Sequence, residues 1–525
     1  MPIRLQVLVS SARHVHSSSV LVYRFIAFHL SPLLFHLTYF VAIDLLGFLA
    51  LVLLKPSNAG YRPRIVDMLF LSTSAVTVTG LATVKMEDLS TSQIMVLTLL
   101  MLLGSEMFVS LLGLALQLRD KRRQRDQDDA CRRSVTVCDE SNLEEANPPG
   151  TPPSAGFSDD QEMNKKKSCL RCLAFVVVAY MVVIMATSSL LVFVYIASVP
   201  SARDVLTRKG INAALFSVSV TVSSFTNGGL MPTNESMAVF AADRGLLLLL
   251  AGQILAGCTL FPVFLRLVIW VIRGVTRVFT GRLEHLEELD SMAKNAMAVG
   301  FTHLLPGLQT AFLATTVVSL AAAAVTLFCL LNWDSAVFAG LTAGEKVTNA
   351  LFMAVNVRQA GENSVDCSLV APAVLVLFVA MMCIPASATL FSVHDDGGGG
   401  GDRSAGERKD GTKKRRLSLN SMVLSPLACN AAVTMVVCVT ERRSLSSDPL
   451  NFSTFSMIFE VISAYGNVGL STGYSCSRLR RPEEASACHD QPYSFSGWWS
   501  DQRKLVLVLV MLYGRLKGFH SKRKR

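Results

Sequence analysis

Long apolar stretches alternate with short polar ones along most of the chain. A helix crosses a hydrocarbon core with about 20 residues, and six charge-poor stretches reach that length: 33–54, 94–116, 173–199, 245–265, 311–331 and 371–391. Two further stretches are weaker candidates. The stretch 422–440 is shorter and contains Asn430, and the stretch 505–516 spans a membrane only if its helix starts near the interfacial pair Trp498 and Trp499. The pattern predicts eight membrane-spanning helices.

Four shorter apolar segments recur between these stretches, each between two predicted spans. Each contains a Leu-Phe or Ile-Phe pair and ends at a glycine. The phenylalanine and the glycine of the four segments are Phe70 and Gly80, Phe216 and Gly229, Phe352 and Gly361, and Phe459 and Gly469. A pattern that returns at the same relative place is an internal repeat. Non-helical backbone at membrane depth is tolerated only where it is buried in protein or lines a water-filled cavity. The four segments are therefore expected to converge on a pore.

These patterns predict an all-α membrane protein in which four tandem repeats of helix, pore loop and helix surround a central pore. Two low-complexity segments, one rich in proline and one rich in glycine, are expected to be cytoplasmic linkers. The predicted boundaries are 1–32 for the N-terminal segment, 33–119 for repeat A, 120–169 for a linker, 170–275 for repeat B, 276–300 for a linker, 301–393 for repeat C, 394–421 for a glycine-rich basic linker, 422–519 for repeat D and 520–525 for a basic tail.

Composition supports a membrane solvent and narrows the class of function. Hydrophobic residues make up 51% of the chain and charged residues 17%. The net charge is +10, but the basic residues cluster beside the apolar stretches and form no single basic face of the kind that binds nucleic acid. By the positive-inside rule, clusters such as 121–123, 165–167, 413–416 and 522–525 predict cytoplasmic loops and cytoplasmic N- and C-termini. The sequence contains no P-loop and no HExxH motif that would point to an enzyme.

The ends of the four short segments carry the candidate chemistry. The run from Thr77 to Gly80 is similar to the first part of a potassium-channel filter, in which carbonyl oxygens replace the hydration shell of the ion. Glycine reaches backbone angles that let consecutive carbonyls point the same way, and the last carbonyls of a short helix add partial negative charge. We predict a filter that binds K⁺ and Na⁺ through backbone carbonyls, without a cofactor, at Val78, Thr79, Gly80, Asn227, Gly228, Gly229, Gln359, Ala360, Gly361, Asn467, Val468 and Gly469.

Four motifs are the most distinctive in the chain: Leu54-Lys55-Pro56-Ser57-Asn58, the stretch 72–90, the stretch 464–476, and Gly514-Arg515-Leu516-Lys517. Through them the chain resembles the plant HKT family of high-affinity potassium and sodium transporters, which is related to the microbial Trk and Ktr transporters. The resemblance covers nearly the whole chain. It implies a multi-pass plasma-membrane transporter that forms a homodimer in the lipid bilayer, with one pore per subunit and one filter glycine per repeat.

The same resemblance implies that Gly80, where Na⁺-selective members carry serine, goes with K⁺ permeation and Na⁺/K⁺ cotransport. The pore is expected to be nearly symmetric in function. Serine at any of the four filter glycines is therefore expected to damage K⁺ passage to a comparable extent.

Alternative interpretations remain for the function and for several charged residues. A Na⁺-selective uniporter is the main alternative function, and a non-conducting membrane scaffold is a weaker one. Arg515 is a candidate pore gate, or it extends from the end of its helix to lipid headgroups. Asp44 and Glu106 lie inside predicted spans, where they take part in transport or make structural hydrogen bonds. Glu87 concentrates cations at the outer mouth, or it is an ordinary solvated charge.

Overall fold

The structure is a computed structural model that describes residues 32–57, 63–119, 155–279, 301, 303–384, 426–476 and 493–523. Within these ranges all regular secondary structure is helical, and the chain is an all-α, multi-pass membrane protein. The helices follow one order four times along the chain, namely a first helix, a short helix and a last helix. We label the four sets A to D in chain order.

The bounds of the main helices are as follows. The first helices are Pro32–Leu53, Ala155–Ser198, Gly307–Asn332 and Pro426–Thr440. The short helices are Ile65–Val76, Ala213–Thr226, Ala343–Asn356 and Thr454–Gly466. The last helices are Thr91–Gly104, Arg244–Ile254, Pro372–Cys383 and Asp501–Arg523.

Smaller helices join these elements. A polar connecting helix, Pro200–Lys209, lies between the first and short helices of B, and Arg442–Ser447 lies at the same place in D. A 3₁₀ turn precedes the last helix in every set, at Met86–Asp88, Ala238–Phe240, Cys367–Leu369 and Phe495–Trp498. A further 3₁₀ turn, Ala336–Phe338, precedes the short helix of C.

Two of the last helices are bent. In the described part of the chain, 3 helices are long and apolar enough to cross a membrane, and the number rises to 5 if each of the two bent helices, with its continuation after the bend, is counted as one span. The last helix of A continues after Gly104 as Glu106–Arg119 at an angle of 55°. The last helix of B passes through a π-helical turn, Leu255–Thr259, into Phe261–Phe279, with a bend of 91°. The eight predicted spans therefore stay a prediction, and span 371–391 is described only as far as residue 384.

Three helices extend past the boundaries that the sequence pattern predicts. The first helix of B begins at Ala155, inside the predicted linker 120–169. The bent continuation in B ends at Phe279, past the end of the predicted repeat, and the last helix of D reaches Arg523, inside the predicted tail 520–525. Lys, Arg, Glu and Gln are good helix formers, so a helix continues into polar sequence after its apolar part has ended. Hydropathy marks the apolar part of these helices but not their ends.

The four repeated phenylalanines anchor the short helices. Phe70, Phe216, Phe352 and Phe459 are each at most 1% exposed. Phe70 packs among residues of D, Phe352 among residues of B, and Phe459 among residues of C. Burial of a phenylalanine side chain contributes about 1.5–3 kcal/mol. Each of these three short helices is thereby fixed to the preceding set, and the contact between A and D closes a ring of four.

Candidate functional site

The four predicted filter glycines lie together where the short helices end. Their φ angles are +89° at Gly80, +71° at Gly229, +66° at Gly361 and +94° at Gly469, a region that L side chains rarely adopt. A Cβ built on Gly80 would lie 2.9 Å from the Cα of Gly229, one on Gly229 2.7 Å from the carbonyl oxygen of Ala360, one on Gly361 2.8 Å from the Cα of Gly469, and one on Gly469 2.9 Å from the Cα of Gly80. The glycines form a closed ring in chain order.

The ring is more crowded at some glycines than at others. The distance from an added Cβ to the nearest carbonyl oxygen of the neighbouring set is 2.0 Å at Gly361 and 2.2 Å at Gly469, but 2.7 Å at Gly229 and 3.0 Å at Gly80. Gly80 thus has the most room and Gly361 the least. The expectation of comparable damage at all four glycines conflicts with this geometry.

In sets A, B and D the chain turns sharply two residues before the ring glycine. Val78, Asn227 and Asn467 have φ angles of +56°, +59° and +51°, in the left-handed region where asparagine is enriched and a β-branched residue is an outlier. The next N–H donates to the carbonyl five residues earlier, a bond that commonly ends a helix. These bonds join Thr79 to Ser74 at 2.8 Å, Gly228 to Ser223 at 2.7 Å, and Val468 to Ser463 at 2.9 Å.

Set C ends its short helix in a different way. Gln359 and Ala360 are not among the positive-φ residues. The carbonyl of Asn356 accepts the N–H groups of Gln359 at 3.0 Å, Ala360 at 2.9 Å and Gly361 at 3.5 Å. The side-chain oxygen of Asn356 accepts the N–H of Glu362 at 3.2 Å. In C, Asn356 therefore holds the loop through hydrogen bonds, whereas each of the other three sets forms its loop with a residue in the left-handed conformation.

Side chains join the loops of neighbouring sets. The amide of Asn467 donates to the hydroxyl of Thr79 at 2.8 Å and to the carbonyl of Met511 at 3.0 Å. The amide of Asn227 donates to the side-chain oxygen of Gln359 at 3.4 Å. The first pair joins D to A, and the second joins B to C. These bonds fix the loops of different sets relative to one another.

A cavity of about 400 Å³ opens onto the ring and is lined by all four glycines. Its described lining contains two carboxylates, Glu235 and Asp366, together with hydroxyl and amide side chains, and it contains no lysine or arginine. A cleft lined by one sign of charge raises the local concentration of counter-ions. We call this cavity the vestibule, and its chemistry suits cations.

The last helices pass close to the ends of the short helices. A Cβ built on Gly104, Gly257 or Gly514 would lie 1.8 Å, 2.0 Å and 2.0 Å from the carbonyl oxygens of Val76, Phe225 and Tyr465 respectively. Only glycine allows this approach of two backbones. In A and B the last helix bends shortly after this glycine. Sets A, B and D therefore share a close contact that packs the last helix against the loop.

Arg515, the candidate gate, directly follows the glycine of this contact in D. Its Nη2 donates to the carbonyl oxygen of Gly104 at 2.6 Å. Gly104 is the last residue before the bend in A, and the carbonyls at a helix end lack intrahelical donors. This hydrogen bond disfavours the alternative in which Arg515 extends to lipid headgroups. A gating role stays a prediction.

Asp44 and Glu106 both make hydrogen bonds between helices. A carboxylate oxygen of Asp44 accepts the hydroxyl of Thr73, in the short helix of A, at 2.8 Å. One oxygen of Glu106 accepts the thiol of Cys258, in the bent region of B, at 3.0 Å, and the other lies 3.8 Å from Nε2 of His303. These contacts favour the structural interpretation of both residues.

Lys209, at the end of the connecting helix of B, is a residue that the sequence analysis missed. Its Nζ lies 2.6 Å from Oε1 of Glu87 and 2.6 Å from Oε2 of Glu235. Glu87 is therefore ion-paired and is not an ordinary solvated charge. No short motif could reveal the contact of Lys209 with Glu87, because these two residues are 122 positions apart and a lysine in a polar helix is unremarkable.

The chain is similar to known cation transporters along nearly its whole length. A family model described as TrkH, a cation transport protein, matches residues 156–394 and 429–522. Cation transporter HKT2;4 of Oryza sativa subsp. japonica is 63% identical over 522 residues, which cover 99% of each chain. Probable cation transporter HKT2;3 of the same organism is 62% identical over 521 residues, also covering 99% of each. Sodium transporter HKT1 of Arabidopsis thaliana is 36% identical over 485 residues and 90% of each chain.

Proposed function

Because the chain belongs to the plant HKT family of cation transporters, we propose that it moves K⁺ and Na⁺ across the membrane through the ring of four glycines. The backbone carbonyls of the residues that end at these glycines replace the water around the ion. The observation that carries the proposal is the closed ring of positive-φ glycines from four separate loops. The transported ions are its only ligands in this mechanism.

The surroundings of the ring supply the electrostatics that the mechanism needs. Cations collect in the vestibule, where Asp366 provides negative charge and Glu235 provides a carboxylate that is ion-paired with Lys209. The four short helices end at the ring, so the partial negative charge of their C-terminal ends lies beside the ion. An ion that gives up water at the ring therefore meets carbonyl oxygens in a field that favours a cation.

Gly80 decides between the two candidate ions in this proposal. K⁺ needs carbonyl oxygens from all four loops, and a glycine at position 80 leaves the loop of A able to supply them. Na⁺ is smaller and more strongly hydrated, and it passes with retained water. The chain accordingly transports both ions, as cotransport or as parallel uptake, and a Na⁺-selective uniporter is the alternative.

The proposal also includes an orientation, an assembly and a gate. The vestibule faces the outside of the plasma membrane, and both termini are cytoplasmic, as the basic clusters of the sequence favour. The protein is a homodimer with a pore in each subunit. Arg515 raises the barrier for a cation that leaves the ring, because its side chain is positively charged and its backbone lies close to the loop of D. It directly follows Gly514, whose added Cβ would lie 3.3 Å from Oδ1 of Asn467 in that loop.

Exchange of Gly80 for serine tests the placement of the filter. Strain at positive φ costs about 1–2 kcal/mol for a residue with a Cβ, and the added atom would lie 2.9 Å from the Cα of Gly229. Gly80→Ser is expected to lower K⁺ permeability relative to Na⁺ by about one decade. Reversal potentials with K⁺ and Na⁺ varied separately, in a cell deficient in K⁺ uptake, measure this ratio.

Gly473→Ser is the matched control for this experiment. Gly473 also lines the vestibule and has a φ of +64°, but an added Cβ would meet nothing within 4 Å. The control is expected to keep the wild-type ratio of K⁺ to Na⁺ permeability. If Gly80→Ser reaches the surface with an unchanged ratio, the filter is not at Gly80. A wild-type protein that passes only Na⁺ is a uniporter, and one without cation current is the non-conducting scaffold.

A further inference from the structure

The connecting helix of B ends at the rim of the vestibule. Lys209 is its last residue, and Gly210 caps it in the left-handed conformation with φ of +66°. The side chain of Lys209 is only 17% exposed, and its Nζ lies 2.6 Å from carboxylate oxygens of both Glu87 and Glu235. Glu235 lines the vestibule, and Glu87 belongs to the 3₁₀ turn that follows the loop of A.

The Glu87 carboxylate is held in place by more than the ammonium group. The N–H of Glu87 donates to Oδ1 of Asn234 at 3.1 Å, and the N–H of Asn234 donates to Oε1 of Glu87 at 3.1 Å. Asn234 also lines the vestibule. The segments that follow the loops of A and B are therefore joined at the rim, with Lys209 between their acidic side chains.

Lys209 keeps its charge in this environment. Burial lowers the pKa of its ammonium, but the hydrogen bonds and charges of Glu235 and Glu87 outweigh burial, and the pKa is raised overall. The C-terminal end of a helix also favours a cation. A positively charged group therefore occupies the position between the two carboxylates throughout the neutral pH range.

We propose that the Lys209 ammonium takes the place of a divalent cation at the vestibule rim and so keeps the entrance selective for monovalent ions. Ca²⁺ binds carboxylate oxygens at about 2.3–2.6 Å, so a calcium ion at the position of Nζ would contact both Glu87 and Glu235. Without the ammonium, two negative charges would remain at the entrance and would draw a cation from solution. The inference rests on the proposed passage of ions through the ring.

A purely structural ion pair makes a different prediction. If the pair served structure alone, its loss would change protein yield or thermal stability without changing the response to divalent ions. A unit charge about 10 Å from an ion path in water changes the local concentration of a monovalent cation by about twofold and of a divalent cation by about fourfold. Sensitivity to divalent ions is therefore the readout that separates the two roles.

Inhibition of the monovalent current by external Ca²⁺ and Mg²⁺ tests the proposal. Lys209→Gln is expected to lower the half-inhibitory Ca²⁺ concentration at least about fourfold at low ionic strength. Lys209→Arg, which keeps the charge, is expected to behave as wild type. The double variant Lys209→Gln with Glu235→Gln removes one negative charge and is expected to recover most of the wild-type response. Wild-type sensitivity in Lys209→Gln would overturn the proposal, as would a double variant as sensitive as the single one.

A second experiment covers the case in which Lys209→Gln does not reach the surface. In Lys209→Cys, a positively charged thiol reagent applied after expression restores a cation at this position, and a negatively charged reagent of similar size adds an anion. The first is expected to weaken Ca²⁺ inhibition and the second to strengthen it, with treated wild type as the control for the other cysteines. Equal effects of the two reagents would refute the role of Lys209.

Reversal potentials recorded in the same cells keep this test separate from the proposed function. Lys209→Gln is expected to retain the wild-type ratio of K⁺ to Na⁺ permeability, because Lys209 is not part of the ring. A conducting variant with unchanged selectivity and unchanged Ca²⁺ sensitivity argues against Lys209 alone. Absence of any cation current in the wild type argues against the proposed function itself.

Discussion

Three of the four loops end their short helix with the same turn, whereas the loop of C is built differently. In A, B and D a left-handed residue reverses the chain, and a serine carbonyl accepts the N–H that follows. In C, Asn356 alone accepts four N–H groups, three through its carbonyl and one through its side chain. All four ring glycines nevertheless have positive φ. Different local chemistry thus supports one common backbone geometry at the ring.

The loop of C is also the one whose glycine has the least room. A Cβ on Gly361 would lie 2.0 Å from the nearest carbonyl oxygen of the next set, against 3.0 Å for Gly80 in A. A loop held by several bonds to one buried residue, Asn356, has little freedom to move away from such a contact. The repeats are therefore alike in fold but differ in how much change each can accept, and substitutions can measure that difference.

The largest effect is expected from Gly361→Ala. The added methyl group would overlap the carbonyl oxygen of Val468 at 2.0 Å, so the backbone of C or D must shift, and positive φ adds about 1–2 kcal/mol of strain. K⁺ flux per molecule at the cell surface is expected to fall at least about tenfold. Ion flux normalised to surface protein measures this effect.

Gly340→Ala provides the matched control within the same set. Gly340 has a φ of +77°, and an added Cβ would meet nothing within 4 Å. This variant carries the conformational strain without the steric overlap, so its flux is expected to stay within about twofold of wild type. Equal losses in the two variants would show that strain alone, and not the crowding of the ring, limits substitution at Gly361.

An intermediate effect is expected from Asn467→Val, which puts into D the residue that A carries at the same place. The exchange removes the amide donor to Thr79 and to Met511 and leaves a β-branched side chain at φ of +51°. Together these changes are expected to cost about 2–4 kcal/mol of stability. Thermal unfolding of the purified protein, with flux measured in parallel, gives the size of the loss.

Asn227→Val is the comparison for this prediction. Asn227 has nearly the same φ, +59°, but its amide makes one long bond of 3.4 Å to Gln359. The same exchange is therefore expected to cost less in B than in D. If Asn227→Val is as damaging as Asn467→Val, the bonds between D and A are not what holds the loop of D.

The sequence alone was sufficient for the repeated features of the fold. The spacing of Phe and Gly in four segments predicts the short helices and their glycines. The phenylalanine marks the buried face of each short helix, and the glycine marks the position that needs positive φ. The left-handed Val78 could not be foreseen, since valine disfavours this conformation and the turn is imposed by packing. Nor could the unequal crowding at Gly361 and Gly80, because it depends on carbonyls from another set.

The bends and the rim contact were also beyond a reading of the sequence. Gly104 looks like any glycine in an apolar helix until the carbonyl of Val76 is placed 1.8 Å from its added Cβ. Lys209 and Glu87 meet only because the ring brings A and B together. Local pattern therefore specifies the parts of the site, and long-range packing specifies their arrangement.

The smallest effect is expected from Val78→Asn, which gives the loop of A the residue that B and D carry. Asparagine tolerates the left-handed region better than valine, so the strain at φ of +56° is expected to fall by up to about 1 kcal/mol. Loss of a buried apolar side chain acts in the opposite direction, and the net change in unfolding free energy is expected to be within about 1 kcal/mol.

Val468→Asn is the control, because Val468 is fully buried and is not among the positive-φ residues, and it is expected to lose stability by about 2 kcal/mol or more. Thermal unfolding of both variants decides the matter, since equal destabilisation would mean that the turn in A does not share the backbone preference of the turns in B and D.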